Sequence, residues 1–146
     1  MPFPGFQTEA CAAGEDEVFL GGAKGPGKTA LVVTLMTRQV QYPTYKGVMV
    51  RSTYQEAQEL VDRSHLLYPR MPERPQWMGE RRRWEFPGGA YIAIGYMEEE
   101  KDAEQWQGKE PNVFAWDEFG KAKTPIPYEK MLGELYRVAP QLKGKV

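Results

Sequence analysis

The sequence predicts an α/β fold in which a mostly parallel sheet is flanked by helices. Short apolar runs typical of buried strands recur along the chain, at 17–20, 47–52 and 112–118. Two of these runs are followed by segments with apolar residues at helical spacing, at 28–40 and 53–67. Strands that alternate with helices in this way favour a layered α/β architecture with parallel strands.

The first half of the chain is expected to form two strand–helix pairs. EVFL at 17–20 is the first strand, and KTALVVTLMTRQV at 28–40 is the helix that follows. GVMVRS at 47–52 is the second strand, and an amphipathic helix follows at 53–67. The apolar residues expected on or near one face of this second helix are Ala57, Leu60, Val61 and Leu67.

The middle of the chain predicts an irregular segment followed by a hairpin. Prolines at 69, 72 and 75 end the preceding helix and indicate an irregular surface stretch. RRRWEF and AYIAIGYM, which begin at residues 81 and 90, are separated by a Pro-Gly-Gly turn. Two apolar runs around such a turn predict a β-hairpin.

Three further elements complete the prediction. EEEKDAEQWQG at 98–108 opens with acidic residues, which suit the positive end of a helix dipole. NVFAWDE at 112–118 is a buried strand that ends in two acids, and YEKMLGELYRV at 128–138 is a final helix. The pattern shows no internal repeat and no low-complexity segment.

Composition limits the classes of function. A chain of 146 residues with 41% hydrophobic residues is suited to one compact domain. A formal net charge of −1 gives no general attraction to nucleic acid. One cysteine, Cys11, and one histidine, His65, argue against a disulfide framework, a zinc site and a Ser-His triad. Without an apolar run of membrane-spanning length or a signal-peptide pattern, we expect a soluble intracellular protein.

The most specific motif is GAKGPGKT at 22–29, which fits the phosphate-loop pattern G-x-x-x-x-G-K-[ST] between a strand and a helix. Glycines let successive backbone N–H groups face a phosphate at the positive end of the following helix. Lys28 is expected to reach the β- and γ-phosphates, and the Thr29 hydroxyl to bind Mg²⁺. The alternative is an ordinary Gly/Pro loop that connects the strand to the helix and binds no nucleotide. The loop residues expected to bind nucleotide are Gly22, Ala23, Lys24, Gly25, Pro26, Gly27, Lys28, Thr29 and Ala30.

The second part of a hydrolytic nucleotide site is expected at the end of the strand predicted at 112–118. Asp117 is expected to hold Mg²⁺, and Glu118 to polarise the attacking water. Acids at the end of a strand are also common as helix caps or solvated turns, but the phosphate loop favours the catalytic interpretation. The adjacent glutamate favours an ATP-hydrolysing motor-type protein over a GTPase or a nucleotide kinase.

Taken in order, these motifs resemble the large terminase subunits of tailed phages, the ATPases that pump DNA into preformed heads. PGFQTEA and EVFLGGAKGPGKTALV resemble that family's adenine motif and Walker A loop. GVMVRSTYQEAQELVDRSHLLYP resembles its second strand and helix, and FPGGAYIAIGYMEEEKDAEQWQG with NVFAWDE resembles its approach to Walker B. The phosphate loop alone is generic, whereas the ordered set is specific and covers nearly the whole chain.

The resemblance implies roles for individual residues. Gln7 would read the adenine edge, and Lys24 would touch phosphate or sense the nucleotide; otherwise both are ordinary exposed polar residues. Some members of the family carry an arginine before Walker B that acts on the neighbouring subunit's ATP, but this chain has Gln-Gly-Lys at 107–109. Lysine lacks the planar fork of arginine, so this trans-acting group is unassigned. The substitutes available are Lys101, Lys109 and Arg51.

The resemblance also implies an ATPase domain of the P-loop RecA/ASCE type, with ATP and Mg²⁺ as cofactors. We expect residues 1–146 to be a partial motor domain that lacks the family's C-terminal nuclease domain. The implied partners are double-stranded DNA, the portal protein, the small terminase subunit and further copies in a ring. The implied location is the host cell cytoplasm, with no membrane contact.

Two other functions stay open from the sequence. One is a P-loop ATPase of the helicase or recombinase type, and the other is a nucleotide-binding assembly module without turnover. The triplet Arg81–Arg83 with Trp84 is the basic and aromatic cluster suited to a DNA backbone, although a solvated strand entering a hairpin explains it as well.

Overall fold

The computed structural model describes residues 26–106, 109, 111–119, 124 and 126–129. In this part of the chain the α-helices are α1 (Pro26–Leu35) and α2 (Tyr54–Leu67), and the strands are β1 (Lys46–Arg51), β2 (Gln76–Met78), β3 (Arg83–Glu85), β4 (Tyr91–Tyr96) and β5 (Val113–Trp116). Two 3₁₀ helices lie at Tyr68–Arg70 and Glu100–Trp106. None of the described helices is both long enough and apolar enough to cross a membrane.

The five strands form one sheet in the order β2-β3-β4-β1-β5. β1 is the centre of a parallel layer, with β4 on one side and β5 on the other. β2 and β3 extend the sheet beyond β4 in antiparallel pairing. The predicted α/β class is therefore confirmed, whereas the described sheet is mixed rather than mostly parallel.

The antiparallel extension includes one strand that the sequence does not predict. The predicted hairpin is confirmed as β3 paired with β4, and Gly89 in its turn has a φ of 114°. β2 is only three residues long and lies among prolines and glycines, so it lacks a detectable alternation. Its Trp77 pairs with Trp84 of β3 at a ring-centroid distance of 5.5 Å. This aromatic pair joins the apolar core on one face of the sheet.

The helix α2 begins where its sequence predicts. The Thr53 side chain accepts a hydrogen bond from the Glu56 amide at 3.1 Å, which satisfies one free N–H of the first turn. Ala57, Leu60 and Val61 are buried against the sheet. Ser64 joins this face because its hydroxyl accepts from the Trp84 indole at 2.8 Å and donates to the Val61 carbonyl at 2.7 Å.

Two apolar layers cover the two faces of the sheet. On one face, the side chains of α1 and α2 pack with Met49, Ile92 and Ile94. On the other face, Val48 and Val50 pack with the 3₁₀ helix at Glu100–Trp106. Because alternate residues of β1 point to opposite faces, this strand is buried on both sides. That explains why its sequence is a continuous apolar run.

Several predicted boundaries differ from those observed. The helix expected at 28–40 ends at Leu35, and turns continue to residue 44. The helix expected at 98–108 is a 3₁₀ helix, Glu100–Trp106. Residues 126–129 are helical. The strand predicted at 17–20 and most of the helix predicted at 128–138 lie outside the described residues.

Candidate nucleotide site

The carboxyl ends of the parallel strands β1 and β5 meet at one edge of the sheet. Their register pairs Val50 with Trp116, and the Asp117 amide donates to the Val50 carbonyl at 2.9 Å. Arg51 and Asp117 therefore leave their strands side by side. Ligand sites of α/β proteins commonly form at this edge.

Thr29, in the first turn of α1, reaches the same edge. Its hydroxyl donates to Asp117 Oδ2 at 2.9 Å, which joins two residues 88 positions apart in the sequence. Both residues are buried, with 7% of Thr29 and 5% of Asp117 exposed. In phosphate-loop proteins the threonine of the loop and the aspartate of the Walker B motif hold the same Mg²⁺. The two residues that the sequence predicts as metal ligands thus lie together.

The side chain of Arg51 completes this cluster. Its Nε and Nη2 donate to Asp117 Oδ2 at 3.0 and 2.8 Å. Nη2 also donates to Thr29 Oγ1 at 3.0 Å. On the other side of the guanidinium, Nη1 donates to Glu59 Oε2 of α2 at 2.6 Å. One side chain therefore links α1, α2 and the end of β5.

Burial and charge act on Arg51 in opposite directions. Burial lowers the pKa of the guanidinium, but its hydrogen bonds to Asp117 and Glu59 and the nearby negative charges raise that pKa above its ordinary value. Arg51 is therefore a fixed positive charge. A buried ion pair offsets its desolvation only when hydrogen bonds satisfy both partners, and the multiple bonds of this cluster supply that condition.

Glu118 follows directly and is partly open to solvent. Its backbone φ is 57°, in the left-handed region that a residue other than glycine seldom adopts. Its Oε2 lies 3.9 Å from Arg51 Nη1, and 20% of the side chain is exposed. A carboxylate beside the buried cluster and in contact with solvent is suited to orient a water molecule.

The remaining predicted site residues lie before Thr29 or next to it. Three are half-buried in the first turns of α1: Gly27, Lys28 and Ala30. Pro26 is the first residue of that helix. Gln7 and the loop at 22–25, which includes Lys24, lie outside the described residues, so their roles stay predictions.

The described residues contain no group of three or more His, Cys, Asp or Glu side chains that could hold a metal ion. A phosphate-loop site does not need such a group, because Mg²⁺ there takes one hydroxyl, water and the phosphates, with a carboxylate nearby. Thr29 and Asp117 are hard oxygen donors in contact with each other, so they fit Mg²⁺ bound together with a nucleotide. The metal would neutralise developing phosphate charge there.

The three substitutes for a trans-acting arginine have different positions. Only 3% of the Arg51 side chain is exposed and it faces its own Thr29 and Asp117, so it is not placed to reach another subunit. Lys101 is exposed and pairs with Glu99 at 3.2 Å. Lys109 lies over the Trp106 ring at 5.1 Å.

Sequence reasoning missed the part that Arg51 and Glu59 take in this site. The signal in the sequence was limited to a cation at the end of an apolar strand, which requires an anionic partner if it is buried. Which acid supplies that partner depends on the pairing of β1 with β5, which the sequence does not show.

Comparison with protein-family models, with curated proteins and with solved structures gives no match.

Proposed function

We propose that this chain binds Mg-ATP between the start of α1 and the end of β5, and that it hydrolyses ATP there. The observation that carries the proposal is the hydrogen bond of 2.9 Å from Thr29 to Asp117. These are the two residues for which the motifs predict a shared metal. A Gly/Pro connection with no ligand would not require the hydroxyl and the carboxylate to meet.

Each side chain has a distinct role in this proposal. Lys28 neutralises the β- and γ-phosphates, and the amides at the start of α1 face the phosphate oxygens. Thr29 and Asp117 hold Mg²⁺, which would supply charge neutralisation when bound. Glu118 orients the water that attacks the γ-phosphate, and its partial exposure supports that role.

For its biological role, we propose that this chain is the motor domain of a viral DNA-packaging terminase large subunit. The order and spacing of the motifs support this proposal. Its partners would be double-stranded DNA, the portal protein, the small terminase subunit and other copies in a ring, in the host cell cytoplasm. A helicase-type or recombinase-type ATPase would use the same two motifs with a different set of partners.

A nucleotide-binding assembly module without turnover is a second candidate, and one observation favours it. The positive charge of Arg51 is bonded to both Thr29 and Asp117, where an active site needs Mg²⁺. If this arrangement persists with nucleotide bound, the chain binds nucleotide and does not hydrolyse it. The two functions predict equal nucleotide affinity and different turnover in the assembled ring.

The test is calorimetric titration of the chain with ATP in Mg²⁺, with circular dichroism to verify that each variant is folded. We expect the wild-type chain to bind and Lys28→Ala to lose at least about tenfold in affinity, because a charge-assisted phosphate contact is removed. Arg70→Ala is the matched control, since it also removes one positive charge, at an exposed position to which no role in the site is assigned. A folded wild-type chain without affinity for ATP would contradict the proposal.

A further inference from the structure

The cation that Thr29 and Asp117 contact in this structure is the guanidinium of Arg51. Asp117 Oδ2 accepts three hydrogen bonds, one from Thr29 and two from Arg51. Thr29 Oγ1 donates its proton to Asp117, so only its lone pairs remain for a metal, and Arg51 Nη2 bonds to that oxygen at 3.0 Å.

The geometry points to a regulatory role for Arg51: its guanidinium contacts the same hydroxyl and carboxylate oxygens that would bind Mg²⁺, and it must leave them before the metal enters. This inference rests on the proposed nucleotide site. Two cations that share the same hydroxyl and carboxylate oxygens repel each other in a buried site, where charge interactions are strong. Arg51 and Mg²⁺ therefore exclude each other.

Glu59 supplies the place to which the guanidinium moves. Glu59 Oε2 already accepts from Arg51 Nη1 at 2.6 Å, and 57% of the Glu59 side chain is exposed at the solvent side of the cluster. Glu118 Oε2 lies 3.9 Å from the same nitrogen. When Arg51 leaves Asp117, its guanidinium remains next to the carboxylates of Glu59 and Glu118, so its charge stays paired. The pair with Glu59 strengthens once Asp117 no longer shares the guanidinium, and this difference lowers the cost of opening the metal site.

The measured quantity is the gain in nucleotide affinity that Mg²⁺ provides, which is the ratio of the Kd for ADP in EDTA to the Kd in Mg²⁺. Fluorescent ADP is the probe, and hydrolysis plays no part in the readout. Arg51→Gln removes the competing cation and keeps a polar side chain. We expect it to increase this ratio by about tenfold over the wild type, the equivalent of one charged hydrogen bond. A smaller ratio would show that Arg51 supports metal binding, and an unchanged ratio would show that Arg51 does not compete with Mg²⁺; either result would overturn the inference.

For Glu59→Gln we expect the opposite change in this ratio. The substitution is at an exposed side chain, so it does not disturb the buried part of the cluster. Without its carboxylate the displaced guanidinium loses its anchor, so we expect the ratio to decrease about threefold, within the range of a partly exposed ion pair. This variant keeps the inference testable if Arg51→Gln does not fold. An increased or unchanged ratio for Glu59→Gln would contradict the transfer of Arg51 to Glu59.

Matched controls lie beyond the end of α2. Arg70→Gln and Glu73→Gln make the same changes of charge at exposed positions after this helix, whose 14 residues span about 20 Å. Both should keep the wild-type ratio. If the wild-type chain and Arg51→Gln both lack affinity for ADP in Mg²⁺ as well as in EDTA, the nucleotide site itself is wrong and this inference fails with it. Affinity without the expected change in ratio refutes only the role of Arg51.

Discussion

At the scale of single residues, the backbone of Glu118 departs from ordinary conformation beside the buried cluster. A φ of 57° places Glu118 in the left-handed region, which costs an L-residue roughly 1–2 kcal/mol and costs glycine little. Strain at such a position persists where the surroundings or the function require it. Here it directs a carboxylate toward Arg51.

Substitution of Glu118 separates this strain from the proposed chemistry. We expect Glu118→Gly to raise the free energy of unfolding by about 1 kcal/mol, because glycine relieves the left-handed conformation. Glu118→Gln keeps the strain and should not raise that free energy. Both variants should lose ATP hydrolysis. Urea denaturation followed by circular dichroism measures stability, and a less stable glycine variant would contradict the strain.

At the scale of elements, the end of α1 is held by two tyrosine hydroxyls. Tyr68 donates to the Val33 carbonyl and Tyr45 donates to the Met36 carbonyl, each at 2.7 Å. The last carbonyls of a helix have no partner within it, so these bonds satisfy groups that would otherwise be buried unpaired. The helix that carries Thr29 is thus anchored at the end opposite to the site.

Removal of one hydroxyl should loosen this anchor. We expect Tyr68→Phe to lower the free energy of unfolding by about 1–2 kcal/mol, because the Val33 carbonyl loses its donor. Tyr42→Phe is the matched control, since 46% of Tyr42 is exposed. Thermal unfolding measures both variants, and equal midpoints for them would refute the anchoring role of Tyr68.

The same tyrosine gives a dependence on alkaline pH. Burial raises the pKa of Tyr68 well above the ordinary value of 10.0. The fold therefore favours the neutral phenol, and its contribution to stability is complete below pH 10 and decreases as the pH rises toward the folded pKa. We expect Tyr68→Phe to lose stability less steeply than the wild type above pH 10, as measured by urea midpoints across that range. Parallel curves would contradict this linkage.

At the scale of the whole molecule, the packing of the 3₁₀ helix Glu100–Trp106 on one face of the sheet depends on a glycine. A Cβ built on Gly95 of β4 would lie 2.6 Å from Cζ2 of Trp106, which belongs to the 3₁₀ helix on that face. Trp106 is 6% exposed. The tryptophan ring therefore fills the space that a side chain at position 95 would need.

We expect Gly95→Ala to destabilise the protein by roughly 1–3 kcal/mol through overpacking. Gly79→Ala is the control, because the nearest atom to its Cβ would be 3.8 Å away. Replacement of Trp106 by leucine in the Gly95→Ala background should restore part of the loss, since a smaller side chain leaves room for the methyl group. Urea denaturation tests the three variants, and a fully stable Gly95→Ala variant would be the contrary result.

Much of the described fold follows from local pattern. β1 and β5 are predictable as apolar runs, and α2 has both a capping residue, Thr53, and a periodic apolar face. The strand β2 is not predictable, because three residues among prolines carry no period and the strand forms only against β3.

The residues of the candidate site also differ in whether the sequence alone could predict their role. Thr29 and Asp117 could be predicted because each belongs to a motif whose chemistry requires that residue type. Arg51 could not, since its contacts depend on the register of β1 against β5 and on the position of α2. Its role is a property of tertiary structure, and no short segment of sequence encodes it.

The separation of 88 positions between Thr29 and Asp117 has a consequence for synthesis on the ribosome. A nascent chain exposes α1, β1 and α2 well before β5 has left the exit tunnel. During that interval Thr29 lacks its partner carboxylate, and Arg51 lacks the buried carboxylate of Asp117. In the proposed function, nucleotide binding would therefore become available only after β5 has been synthesised, so a bound nucleotide would mark a chain whose central strands have already assembled.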